Sequence, residues 1–159
     1  MRTIEEIKKL HEEILYPTVL VNAKEASGSG TILYSKLNDK NPLEYDVFAL
    51  TNWHVVERNI SISDQYDPLI GKVVKKETRS TVEVKFYDYK YMSQVFGTFS
   101  VESDIIAWSK LEDMAILKLR TIKPAPYVVK LYPRDKINDL HIFDKVYCVG
   151  AGLGHTPFQ

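Results

Sequence analysis

Two short motifs carry the residue types that acid–base chemistry needs. Thr51-Asn52-Trp53-His54-Val55-Val56 follows directly on the apolar run Val47–Leu50. A histidine that leaves the end of a rigid strand onto a short turn is held in one orientation, as a general base must be. Later in the chain, Asp113-Met114-Ala115-Ile116-Leu117-Lys118-Leu119 puts a carboxylate immediately before an alternating strand. A carboxylate there can accept the second imidazole N–H, fix the tautomer and stabilise the imidazolium during proton transfer. Taken singly, such a histidine ordinarily satisfies local hydrogen bonds and such an aspartate marks a strand entry; the pair carries the argument. A third piece, Gly28-Ser29-Gly30-Thr31-Ile32-Leu33, precedes both and opens a strand on a glycine-flanked turn.

The elements that must position these residues are mostly short β segments. The stretches Thr18–Ala23, Gly30–Ser35, Tyr45–Thr51, Thr81–Tyr87, Thr98–Ile106 and Met114–Leu119 read as strands. Turn-rich stretches at Lys36–Pro42 and Asp64–Gly71 separate some of them. Ahead of them, Ile4, Ile7, Leu10, Ile14 and Leu15 recur at helical spacing, Thr3 and Glu6 make a capping box, and Pro17 ends the pattern. The segment Thr3–Leu15 is expected to pack Ile4, Ile7, Leu10 and Ile14 against the barrel or a partner. From Arg120, Pro124, Pro126 and Pro133 interrupt any regular element, which suggests a surface connector. Lys145–Gly150 then reads as one more strand, followed by the glycine loop Gly150–Gly154. Six short strands with one leading helix make the chain mainly β and suggest an antiparallel barrel or sandwich.

These pieces, in this order, resemble the trypsin-like serine peptidases, most closely the high-temperature-requirement branch. That family reads Gly-Ser-Gly before an apolar strand, then Thr-Asn-x-His-Val-Val, then Asp-x-Ala-(Leu/Val/Ile)-Leu-Lys, then a strand and glycine loop. The corresponding residues are Gly28–Gly30, Thr51–Val56, Asp113–Lys118 and Val146–Gly154, so the resemblance covers about residues 17 to 154. It implies a general base at His54, its orienting partner at Asp113, a peptide or protein substrate, and a fold of two six-stranded antiparallel barrels. On that reading the chain is an N-terminal helix (1–16), the first six-stranded antiparallel barrel (17–120), and a connector with the first strand of an absent second barrel (121–159). Extracellular relatives usually carry a cysteine after the catalytic histidine, where Val55 stands here.

The departures matter as much. The family's nucleophilic serine lies in a Gly-x-Ser-Gly turn of the second barrel, yet no serine follows Ser109 in this sequence. Ser29 imitates that turn only superficially, because it precedes the histidine where the family has a first-barrel strand. Cys148 lies inside Val146-Tyr147-Cys148-Val149 without a glycine turn and reads as a buried, inert thiol. The expectation is the N-terminal half of a serine endopeptidase, inactive alone and lacking its C-terminal barrel. The alternative is a naturally short, non-catalytic barrel that binds or scaffolds.

Composition narrows the remaining classes. Lys+Arg and Asp+Glu both total 21, so charge gives no general reason to expect nucleic acid or an anionic membrane as partner. The basic aromatic stretch Lys85–Tyr91 reads as a strand with one wet face rather than an RNA platform. No apolar stretch reaches the roughly 18 residues of a membrane span, and charges at Glu5, Glu6, Lys8, Lys9, Glu12 and Glu13 are unlike a signal peptide. With a single cysteine, the expectation is a reducing, cytoplasmic setting. His54, His141, His155 and Cys148 show no paired zinc-type spacing, so no metal and no cofactor is expected. A strand Val146–Val149 without a barrel to join should either drive association of two copies or bring the connector back across the first barrel.

Overall fold

The structure, a computed structural model, describes residues 2–151. It is mainly β, with a closed six-stranded antiparallel barrel and an N-terminal helix. Helix α1 (Ile4–Leu10) leads to β1 (Thr18–Asn22), β2 (Ser27–Leu37) and β3 (Tyr45–Thr51). A short helix α2 (Trp53–Val56) follows, then β4 (Ile60–Asp67), β5 (Lys72–Arg79), β6 (Val82–Lys90), β7 (Gln94–Ser109) and β8 (Met114–Leu119). The barrel runs β1-β2-β3-β8-β7-β6, and it closes where β6 returns to β1 through Leu20↔Lys85, Val21↔Val84 and Asn22↔Glu83.

Alternation explains the core. Val47, Ala49 and Thr51 of β3 point inward, as do Ala115, Leu117 and Leu119 of β8 and Val82, Val84 and Phe86 of β6. Each large aliphatic side chain buried this way contributes about 1.5–3 kcal/mol. Bulges at Leu33 in β2 and at Phe96 and Ile106 in β7 bend the strands enough for six of them to close.

Four features differ from the sequence expectation. Asp64–Gly71 is not simply turn but the tip of a hairpin, β4–β5, paired from Ile60↔Arg79 to Asp67↔Lys72. Nearly every residue of that hairpin is exposed, so it lacks the one-sided apolar alternation by which strands are recognised. The N-terminal segment is α-helical only to Leu10, and His11–Leu15 widens into a π-helical turn. The Thr3–Glu6 capping box is present. Ile4, however, is 74% exposed, because the helix meets the barrel only through its C-terminal end, where His11 and Leu15 are buried. Lastly, Lys145–Val149 forms no strand; with no sheet edge beside it, it lies along α1, and only Gly150 makes a bridge. Gly152, Leu153 and Gly154 of the expected glycine loop lie outside the described residues, as does His155.

The connector does fold back. Tyr45 N–H donates to Thr121 O at 3.2 Å, Ala125 N–H to Ser35 Oγ at 2.9 Å, and Val129 N–H to Ile32 O at 3.0 Å. Tyr127 meets Tyr16 at 4.8 Å between ring centroids, and Tyr16 stacks on Tyr89 at 5.0 Å. His11 braces this aromatic corner, its Nδ1 2.7 Å from Ile7 O and its Nε2 2.7 Å from Ser93 Oγ.

The Tyr89 hydroxyl is buried there without a partner among the described residues. Burial first, then the neighbouring Tyr87 and Tyr16 phenols, push its pKa far above the ordinary value, so it stays neutral. An unpaired buried hydroxyl is a net cost, so Tyr89→Phe should raise stability by about 1 kcal/mol in urea denaturation. A loss of stability instead would show that the hydroxyl holds a bound water or another partner.

Candidate active site

The β3–β8 register builds the site. Thr51 lies opposite Ala115, so the turn leaving β3 and the turn entering β8 emerge side by side. Asn52, in extended conformation, caps α2 and sends the chain into Trp53-His54. On the other turn, Asp113 adopts φ 50°, the left-handed region that aspartate and asparagine tolerate better than most side chains.

Sequence reasoning singled out His54 and Asp113, and the structure brings them together. His54 Nδ1 lies 2.7 Å from Asp113 Oδ2, and the His54 backbone N–H donates to Oδ1 at 2.9 Å. Asn52 Nδ2 adds bonds to Asp113 Oδ2 and to the Asp113 carbonyl, both at 3.1 Å. The His54 backbone bond first, then its ring bond, hold the Asp113 carboxyl below the usual carboxylate range. An ionised Asp113 only accepts, so Nδ1 carries a proton, and in the neutral ring the lone pair is at Nε2. Nε2 has no partner among the described residues, and the His54 side chain is 63% exposed. The arrangement can therefore take a proton at Nε2 while the carboxylate steadies the resulting cation.

The strand pattern alone assigns no role to Asn52 or to Gly28; for Asn52 the signal is its place two residues before the histidine. A Cβ on Gly28 would stand 2.5 Å from Val55 Cγ2, so only glycine lets α2 seat against β2. Ser29 Oγ accepts the Ala151 N–H at 2.8 Å and makes no hydrogen bond to His54 among the described residues. Gly150 fits beside it for the same reason of space: a Cβ there would meet Ser29 Oγ at 2.8 Å. Cys148, expected to be buried, is exposed, because the segment around it joins no sheet. Among the described residues, no three or more His, Cys, Asp or Glu side chains gather as a metal site would require.

No family model matches the sequence, and no curated protein matches it. Among solved structures, the crystal structure of Deg5 is similar, with a TM-score of 0.62 and 21% identity. The chain shares its fold with Deg5. The likeness covers 99% of this chain and 62% of that one, so this chain spans less than two thirds of Deg5's length. The likeness shows the fold, here the six-stranded barrel that carries His54 and Asp113 on adjoining turns.

Two outcomes test this geometry. Gly28→Ala forces Val55 and α2 outward, and overpacking of this kind costs about 1–3 kcal/mol. The variant should unfold at lower urea and lose the downfield Nδ1–H resonance of His54; an unchanged resonance would separate the Gly28 contact from the dyad. The second concerns acid. Asp113 has a folded pKa below its unfolded value, so its contribution is present at neutral pH and is lost as pH falls through the depressed pKa. Asp113→Asn keeps the left-handed backbone but loses the charge. The stability gap between wild type and Asp113→Asn should stay level down to the ordinary carboxyl range and close only below it.

Proposed function

We propose that this chain supplies the general base and its orienting carboxylate to a serine-type endopeptidase. The single observation behind this reading is His54 Nδ1 on Asp113 Oδ2 at 2.7 Å with Nε2 left open to solvent. The likeness to Deg5, a Deg/HtrA protease, agrees with it. In this reading Nε2 removes the proton from a serine hydroxyl as that oxygen attacks a peptide carbonyl. The proton then passes to the leaving amine, and water repeats the cycle on the acyl-enzyme. Asp113, fixed by Asn52 and the His54 backbone, holds the imidazole in the tautomer that the first step needs.

This reading requires a serine from outside the His54–Asp113 barrel, and none follows Ser109 in the sequence. The oxyanion donors and the pocket for the residue before the cut belong to the same further barrel. The chain alone should therefore hydrolyse neither casein nor an activated ester above background. Joined to the barrel that completes it, the protein should react with a fluorophosphonate at serine. His54→Ala or Asp113→Asn should lower that turnover by about four orders of magnitude. Full labelling and turnover in both variants would overturn the proposal.

A further inference from the structure

The β4–β5 hairpin takes no part in the barrel, yet its base is tied to it with unusual care. Asn59, 6% exposed, accepts from Lys24 N–H at 3.0 Å and donates to Ser80 Oγ at 3.0 Å and Thr81 O at 2.9 Å. Arg79 Nη1 donates to Ile105 O at 2.7 Å, at the β7 bulge. Its neighbour on the same face of β5, Glu77, pairs with Arg79 and accepts the Trp108 indole N–H at 3.1 Å. The Trp108 bond first and the Arg79 bond second hold the Glu77 carboxyl below its usual range, so it is a charged acceptor at neutral pH.

Trp108 leads back to the site. Its ring lies 6.4 Å from that of Trp53, within the span of an aromatic pair. Trp53 is the residue before His54 and the first of α2. Lys110 Nζ stands 4.9 Å from the Trp53 ring centroid. Lys110 belongs to the turn that presents Asp113, and its carbonyl accepts the Asp113 N–H at 3.3 Å. The Trp53 ring thus meets both the strand end and the turn that lead to the carboxylate.

We infer that Glu77 is a positioning residue for His54, acting through Trp108 and Trp53, so that the β4–β5 hairpin sets the angle between the histidine turn and the aspartate turn. The inference rests on the proposed role of His54, but its geometry stands apart from any activity. Glu77 fixes the indole by its N–H; the indole limits where the Trp53 ring can lie; and the Trp53 ring, packed there, restrains the first residue of the four-residue helix that carries His54. Barrel pairing alone sets the two turns near one another. The hairpin narrows that nearness to one hydrogen-bonded arrangement.

The test is hydrogen exchange of the His54 Nδ1–H at fixed pH, read by NMR on the ring-labelled chain and assigned by its loss in His54→Gln. Glu77→Ala and Trp108→Phe should each speed that exchange by roughly three- to tenfold, the effect of one lost hydrogen bond. Glu77→Gln keeps an acceptor for the indole and should stay within about twofold of wild type. The double variant should exchange no faster than the faster single one, because both act along one path. Exchange unchanged in both single variants, an additive double variant, or failure of glutamine to rescue would each overturn the inference. If Glu77→Ala does not fold, Trp108→Phe decides the matter, since it removes the donor and keeps a ring. An inactive completed enzyme with these exchange effects intact would count against the peptidase reading and leave the positioning role standing.

Discussion

Thr51 lies opposite Ala115, and the site depends on that pairing. The register sets the end of β3 against the start of β8, and each strand releases its chain into a turn at the same level. A shift of one residue would turn Val47, Ala49 and Thr51 outward and separate the turns. The buried alternation of β3 and β8 is thus also what aligns a base with a carboxylate. Core packing and candidate chemistry answer to one constraint.

Several weaker constraints refine that alignment. Asp113 accepts from the His54 backbone, the His54 ring and Asn52, so the carboxylate is held by three donors before any substrate arrives. Preorganisation of this kind removes the need to reorient dipoles when charge develops on the ring. Gly28 contributes by lacking a side chain, which gives Val55 room and lets α2 lie flat on β2. Strand bulges supply the curvature that closes the barrel beneath it.

Around this centre the remaining chain forms two braces. On one side the connector crosses β2, reaches the aromatic corner of Tyr16, Tyr89 and Tyr127, and ends with Ala151 bonded to Ser29. Ser29 lies beside Gly28 on the strand that supports α2, so Ala151 is tied to that same strand. On the other side the β4–β5 hairpin stands off the barrel, anchored by Asn59, Arg79 and Glu77. The fold is shared with Deg5.

Local pattern determined a good deal of this. The strand Met114–Leu119 is bounded as its alternation predicts, and Tyr45–Thr51 likewise, because each has one buried face and period-two spacing reports it. The capping box at Thr3–Glu6 was legible because it needs only residues three apart. His54 and Asp113 stood out because each sits at the end of such a strand. What the pattern could not hold was anything decided by contact between distant segments. The hairpin is exposed on both faces and carries no apolar period; Ile4 has the right spacing but no surface to meet; Cys148 sits in an apolar run that pairs with nothing. Periodicity records which face of an element is apolar, whereas burial requires a second surface at the right place. Only the closed barrel decides where those surfaces are, and with them that Asn52, Gly28 and Trp108 stand around the histidine.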